Sequence, residues 1–354
     1  MQKAKVGPKR LEISCVLPTY NESKWLEETC AKLNLALSQT DIETFELIIV
    51  NDGSSDDTND VVRAISEKYP QLHIQLVEQQ NMGRFRARYA GVSRARYENL
   101  LLLDSRVHIH QNALAYLVGE IARHPDLKAW NGHVVVDKTG NIYARFWEAI
   151  TGTFWSSYLK DPRRLTYTLK EFDNYPKGTG FFFVPTEDFL NACKQFLKKS
   201  GTIRHSSDDT YLLRAIAAKY GITISPKFSC TYHSRTSLNK FLKHAFYRGQ
   251  FFVDGYFRKG TRFFLPLLGV YVATPLILLA LAWPILTRRP DIFIFFMGVP
   301  LIVYAILFVV MLSRKVSVKD TASLLVLLPF FSVVYLAGLW VGLLRRLGII
   351  SDKD

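Results

Sequence analysis

Four short apolar runs rich in β-branched residues mark the first third of the chain: residues 11–18 (LEISCVLP), 45–50 (FELIIV), 72–77 (LHIQLV) and 99–103 (NLLLL). Between them, residues 24–39, 57–68 and 84–96 carry helical patterning. Strand alternating with helix predicts a mostly parallel sheet with helices on both faces. Beyond residue 262 the pattern changes. Segments 263–286, 292–312 and 321–344 contain no charged residue. A helix of about 20 apolar residues crosses a bilayer core, and core helices seldom stay apolar all round. All three segments are therefore expected to span. The first holds Pro266, Pro275 and Pro284, so a kinked, re-entrant or partly interfacial path is expected there.

Composition sharpens this picture. The chain has 354 residues, 49% of them hydrophobic and 21% charged, which excludes a disordered chain. Four cysteines are too sparse for a disulfide scaffold. Lys and Arg exceed Asp and Glu by 45 to 31, a net charge of +14. Part of that excess lies in residues 235–262, where Arg235, Lys240, Lys243, Arg248, Arg258, Lys259 and Arg262 face a single acid, Asp254, among interleaved aromatics. One or two helices at an anionic membrane surface are expected there. The adjoining apolar segment disfavours nucleic acid as the partner. The opening residues MQKAKVGPKRLEIS contain no apolar leader stretch. The expected layout is thus a cytoplasmic domain over 1–234, a basic interface segment over 235–262 and a membrane domain over 263–354. The chain is expected to be multi-pass in the cell (inner) membrane. The sides taken by the last loops stay open, because Arg288, Arg289, Arg345 and Arg346 do not follow the positive-inside pattern for three spans.

Ligands on such sheets bind outside the carboxyl ends of the strands. After the first run come Pro18, Thr19, Tyr20, Asn21 and Glu22; after the second, Asn51, Asp52 and Gly53. After the third come Gly83 and Arg84, and after the fourth Asp104, Ser105 and Arg106. Arg84 and Arg88 share a helix face, suited to phosphate oxygens. Asp52 and Glu22 suit a base N–H or a ribose hydroxyl. The site reads as one for a nucleoside diphosphate. Neither a P-loop nor a GxGxxG is present, which argues against ATPase and dinucleotide readings. Further along, Asp208-Asp209 precedes a helical stretch; spacing alone leaves helix capping and catalysis equally open.

The segments SCVLPTYNE, IIVNDGSSDDT, NMGRFRARYAGV, LLLLDSR and SSDDTYLLRA, in this order, resemble family 2 glycosyltransferases of the GT-A fold. The resemblance implies an α/β, Rossmann-like domain that binds a nucleotide-sugar donor, a UDP-sugar first. It implies donor contacts by Pro18, Tyr20 and Glu22, by Asp52 at the base, and by Gly83, Arg84 and Arg88 near the diphosphate. Thr19, Asn51, Gly53 and Ser105 lie beside them. It also implies Asp209 as the base, with Asp208 in the adjoining acidic position. The family's Asp-x-Asp metal motif is here Asp104-Ser105-Arg106. Either Asp104 holds Mg²⁺ or Mn²⁺ with another ligand, His233 being a candidate, or Arg106 supplies the positive charge and the enzyme is metal-independent. The Gln-x-x-Arg-Trp motif of processive synthases is missing, so transfer of a single sugar to a lipid-linked acceptor at the cytoplasmic leaflet is expected, with membrane lipids as surroundings. The alternative is a non-catalytic nucleotide-sugar-binding membrane subunit or scaffold.

Overall fold

The apolar runs fold as strands because each is long enough to cross a sheet and too uniformly apolar to leave a face in water. The computed structural model describes residues 11–199, 208–287 and 290–350. The chain begins β1 (Glu12–Thr19), α1 (Ser23–Leu37), β2 (Thr44–Asn51), α2 (Thr58–Lys68), β3 (Ile74–Glu78), α3 (Arg84–Val92) and β4 (Asn99–Leu103). It continues with β5 (Val107–Ile109), α4 (Ala113–Arg123), β6 (Trp130–Asp137), α5 (Ile142–Phe154), α6 (Ser156–Leu159), β7 (Leu165–Tyr167) and β8 (Phe181–Pro185). Then come α7 (Thr186–Lys199), α8 (Asp208–Tyr220), β9 (Ile222–His233), α9 (Leu238–Tyr256), α10 (Phe264–Leu286), α11 (Pro290–Ser313) and α12 (Val318–Arg346). The chain divides into two units.

The first unit holds every strand, α1 to α4, α7 and α8. Its sheet runs β3-β2-β1-β4-β8-β6-β9-β5, with β7 beside β9. The first four strands are parallel, and β8 enters antiparallel to β4. Ile13, Cys15, Leu17, Leu47, Ile49, Leu101 and Leu103 lie in one core with Leu26, Cys30 and Leu33 of α1 and Leu114 and Leu117 of α4. Each such fully buried aliphatic side chain contributes about 1.5–3 kcal/mol. Two expected boundaries move. The third strand starts at Ile74 rather than 72, because Pro70–Leu72 forms a 3₁₀ turn closed by His73 in the left-handed region. α3 stops at Val92 rather than 96, where Arg96 turns out to bind the buried Glu46 through its backbone N–H at 2.9 Å and its Nε at 2.8 Å.

The second unit holds α5, α6 and α9 to α12. Residues 235–262 yield one long helix, α9, capped by the Ser237 hydroxyl. Its Phe241, Ala245, Gly249 and Val253 are buried at a spacing of four, while Lys240, Lys243 and Arg248 are exposed. α9 runs against α12 backbone to backbone. A Cβ on Gly338 would lie 2.2 Å from the Phe246 carbonyl oxygen, and one on Gly249 would lie 2.5 Å from that of Tyr335. Phe146 and Ala149 of α5 pack with Phe241, Met311, Leu324 and Leu327. At the start of α12 the buried Asp320 accepts from Lys138 and Arg145, each at 3.1 Å. α10 is a continuous helix through Pro266, Pro275 and Pro284. Among the described residues one helix, α12, is long and apolar enough to cross a membrane. Phe264–Ala280 and Ile302–Ser313 are shorter apolar helical stretches.

Candidate active site

The loops after β1 and β2 are tied into one platform. The Asn21 N–H donates to Ser54 Oγ at 2.9 Å, and Asn21 Oδ1 accepts from the Ser55 N–H at 2.8 Å. Asn21 takes a left-handed φ of 52° to do so, a conformation Asn tolerates well. The Asp52 N–H donates to the Thr19 carbonyl at 2.9 Å. Asn51 accepts from the Ser54 N–H at 2.9 Å and donates to Asn59 at 2.7 Å. Tyr20 projects half-exposed from this platform, following Pro18 at the end of β1.

Asp52, expected at the base, is buried and organises the loop before α3. Its carboxylate accepts from Gln79 Nε2 at 2.6 Å and from the N–H groups of Met82 and Gly83 at 2.9 Å each. Gly53 sits at φ +73°, and a Cβ there would meet the Asn81 nitrogen at 2.7 Å, so only glycine fits this approach. Gly83, at φ +89°, then turns the chain into α3.

α3 delivers Arg84 and Arg88 to the start of α8. Arg84 Nη2 lies 2.8 Å from Asp208 Oδ1 and 3.3 Å from Asp209 Oδ2. Arg88 Nη1 lies 2.8 Å from Asp208 Oδ2 and 3.2 Å from Asp209 Oδ1, and its Nη2 lies 3.6 Å from Asp104 Oδ1. The Thr179 hydroxyl donates to Asp209 Oδ1 at 2.5 Å. Burial and the Asp209 charge push the Asp208 pKa above its ordinary value, against the pull of Arg84 and Arg88. Asp104 directly follows β4 and packs against Gly180, where a Cβ would come within 2.9 Å of its Oδ2. The fold thus gathers Arg84, Arg88, Asp104, Asp208 and Asp209. His205, Ser206 and Ser207, read as part of the same helix start, lie outside the described residues.

Arg106 is also at this edge, but it is committed. Its Nε and Nη2 both lie 2.7 Å from Glu22 Oε2, and its guanidinium stands 5.4 Å from the Trp25 ring centre. The carbonyl of Ser105 accepts from Thr29 Oγ1 at 2.8 Å. His233, the candidate second ligand beside Asp104, has both ring nitrogens engaged elsewhere: Nδ1 with Asp137 at 3.1 Å and Nε2 with His108 at 3.0 Å. Its ring also stacks on Trp25 at 5.0 Å. Among the described residues no group of three or more His, Cys, Asp or Glu is placed to hold a metal ion. Asp104 faces the Arg88 guanidinium through Oδ1 at 3.6 Å, and a Mg²⁺ or Mn²⁺ ion there would draw on this one carboxylate together with donor phosphate oxygens. Three residues escaped the sequence reading. Thr179 steadies Asp209, Asn131 Oδ1 accepts from the Gly178 N–H at 3.0 Å, and Trp25 seats Arg106. The four cysteines are buried and form no disulfide, and burial pushes Cys30 and Cys193 up to about 12.

Residues 14–190 match the family model described as glycosyl transferase family 2. The chain belongs to that family. The β1 and β2 loops and α3 fall inside the matched range. Among curated relatives, it is 32% identical over 133 residues to the poly-beta-1,6-N-acetyl-D-glucosamine synthase of Staphylococcus aureus, covering 38% of this chain and 31% of that one. It is 38% identical over 103 residues to a dolichyl-phosphate beta-glucosyltransferase of Trichomonas vaginalis, covering 28% of this chain and 30% of the relative. The match thus spans about a third of the length of these relatives. A mannosyltransferase from Pyrobaculum calidifontis, solved with GDP-Man and Mn²⁺, shares the fold at a TM-score of 0.50 and 16% identity, covering 100% of this chain and 92% of that one.

Proposed function

We propose that this family 2 enzyme is a membrane-bound, inverting glycosyltransferase that moves one sugar from a nucleotide-sugar donor, a UDP-sugar first, to a lipid-linked acceptor at the cytoplasmic leaflet. The observation that carries the reading is the cluster of Arg84, Arg88, Asp104, Asp208, Asp209 and Thr179 at the carboxyl end of the sheet. The tied β1 and β2 loops receive the nucleoside, with Tyr20 and Glu22 beside it and Asp52 shaping the wall through the 79–83 loop. The diphosphate lies toward Gly83 and the start of α3, where backbone N–H groups and Arg84 favour anions. Asp209 accepts the proton of the acceptor hydroxyl as that oxygen attacks the anomeric carbon from the face opposite the diphosphate. The C–O bond to the diphosphate breaks, and Arg84 and Arg106 stabilise the departing charge. Arg106 stands where the second acid of the metal motif belongs, and Glu22 and Trp25 hold it in place.

The membrane part of the reading draws on α12 and on the apolar character of α10 and α11, of 23 and 24 residues. We read 235–262 as the interface segment, with the exposed cations of α9 meeting anionic headgroups. The name of the dolichyl-phosphate relative favours a lipid-linked acceptor.

The test is calorimetric titration of the detergent-purified chain with UDP and with GDP, each with Mg²⁺ and with EDTA. The account expects one nucleotide to bind, and that binding to survive EDTA. Binding that requires Mg²⁺ would overturn the role given to Arg106, and binding of neither nucleotide would overturn the donor reading.

A further inference from the structure

α8 carries Asp208 and Asp209 at its start and Arg214 further along. One stretch of chain, residues 168–180 between β7 and β8, meets this helix at both places. Near its beginning, Asp173 Oδ1 accepts from Arg214 Nη2 at 2.9 Å, and the Arg214 guanidinium stands 4.7 Å from the ring centre of the fully buried Phe172. Lys177 closes on the same ring at 4.5 Å and donates to the Phe172 and Tyr175 carbonyls at 2.6 and 2.9 Å. At the end of the stretch, three consecutive residues each meet a different part of the site. The Gly178 N–H donates to Asn131 Oδ1 at 3.0 Å, and the Thr179 hydroxyl donates to Asp209 Oδ1 at 2.5 Å. The Gly180 carbonyl accepts from the Asp104 N–H at 2.9 Å.

We propose that Arg214 is a positioning residue for the base, acting through Phe172, Asp173 and Thr179. The proposal rests on the reading of Asp209 as the base. The contacts form a closed ring: from Arg214 to Phe172 and Asp173, along the chain to Thr179, across to Asp209, and back through α8 to Arg214. A hydroxyl can fix the rotamer of a carboxylate only if the hydroxyl is itself fixed. Thr179 lies between Gly178 and Gly180, whose backbones are the most permissive of any residue. Its place is therefore set from either side. On one side β8 begins at Phe181, paired with Leu103 of β4. On the other lies the turn that Phe172 anchors. Lys177 braces that turn internally, whereas Arg214 ties it to the helix that carries the acid. An arginine suits this task because its planar fork can stack on a ring and donate to a carboxylate at once. The consequence is a base whose aim depends on a guanidinium that does not touch it.

Residues that act through one another have non-additive effects, and a double-mutant cycle measures this directly. The cycle pairs Thr179→Val, which removes the hydroxyl at nearly constant shape, with Arg214→Gln. It is run on the full-length chain in detergent, with a total membrane lipid extract as acceptor. The donor is whichever of UDP-glucose, UDP-N-acetylglucosamine and GDP-mannose the wild type uses. Each single variant is expected to lower kcat by about 10–100-fold while the donor KM stays at the wild-type value. The double variant is expected to be no slower than Thr179→Val alone. Thr179→Ser restores a hydroxyl and is expected to recover part of the loss. Arg214→Lys keeps the charge without the flat stack on Phe172 and is expected to recover less. The pair Asp173→Asn with Arg214→Gln removes both charges together; it is expected to melt close to the wild type and to show the same loss of kcat. Losses that multiply in the Thr179→Val, Arg214→Gln variant would mean that Arg214 acts by another route, and would overturn the proposal. Wild-type kcat in the Asp173→Asn, Arg214→Gln variant would overturn it too. Near wild-type turnover by Asp209→Asn would instead overturn the base assignment. A wild type that transfers no sugar from any of the three donors would overturn the transfer reading beneath both.

Discussion

The two units of this chain dispose of apolar and polar groups in opposite ways. In the α/β unit, Ile13, Cys15, Val16 and Leu17 of β1 are fully buried, and the charged groups collect where the strands end. There they saturate one another: Arg88 with three acids, Asp52 with a loop, Arg106 with Glu22. In the helical unit, α12 buries a narrow strip containing Leu324, Leu327, Gly338 and Leu339, and leaves Val326, Phe330 and Val333 exposed. One unit is built like a water-soluble enzyme. The other presents to its surroundings the side chains the first conceals, which suits lipid.

The largest effect that would sharpen this comparison lies at Arg88. Arg88→Met leaves the buried Asp208 carboxylate with only the half-exposed Arg84. The expected loss is about 3–5 kcal/mol of stability, read as a lower denaturant midpoint for the unit containing tryptophans Trp25 and Trp130. An unchanged midpoint would mean that the cluster is not held by that guanidinium.

Next comes Val333, 72% exposed on α12. Lysine at the centre of a membrane helix costs about 2.5–3.5 kcal/mol on insertion. Val333→Lys is therefore expected to shift the chain out of the membrane fraction or lower its yield there. If α12 faces water, the same substitution is harmless and improves solubility, and the contrast between the units fails.

The smallest effect is on pH dependence. Burial, and for His133 also the neighbouring His110, lowers the pKa of His110 and His133 below the ordinary value. The unfolded chain then takes up protons near pH 6.5 before the folded one does. Stability from these groups is present above that pH and is lost as pH falls through the folded values. The melting midpoint is expected to be level above pH 7 and to decline below about 6.5. A midpoint constant to pH 5 would show that both rings are as accessible folded as unfolded.

What could be read from sequence alone follows the range of the interactions. β1, β2 and β4 lie within one or two residues of their apolar runs, because a strand buried on both faces writes its burial into consecutive letters. The donor loops follow, since they are the polar residues at those ends. The Thr179–Asp209 bond joins residues 30 apart, and the Arg106–Glu22 pair residues 84 apart. No local pattern records either one. α5 was not read as an element either; its Phe146 and Trp147 make sense only against Phe241 and Phe331. Gly338 looked like an ordinary residue of an apolar helix until the Phe246 carbonyl was placed against it. For His233 the sequence offered a metal ligand, and the fold supplies Asp137 and His108 as partners.

The central claim is that Asp209 performs the chemistry while the loops and α3 hold the donor. It is tested most directly by measuring Asp209→Asn twice on one preparation, for nucleoside diphosphate affinity and for sugar transfer to a membrane acceptor. The account predicts that affinity is kept while turnover falls by about 10²–10⁴-fold. Near wild-type turnover in that variant would contradict it.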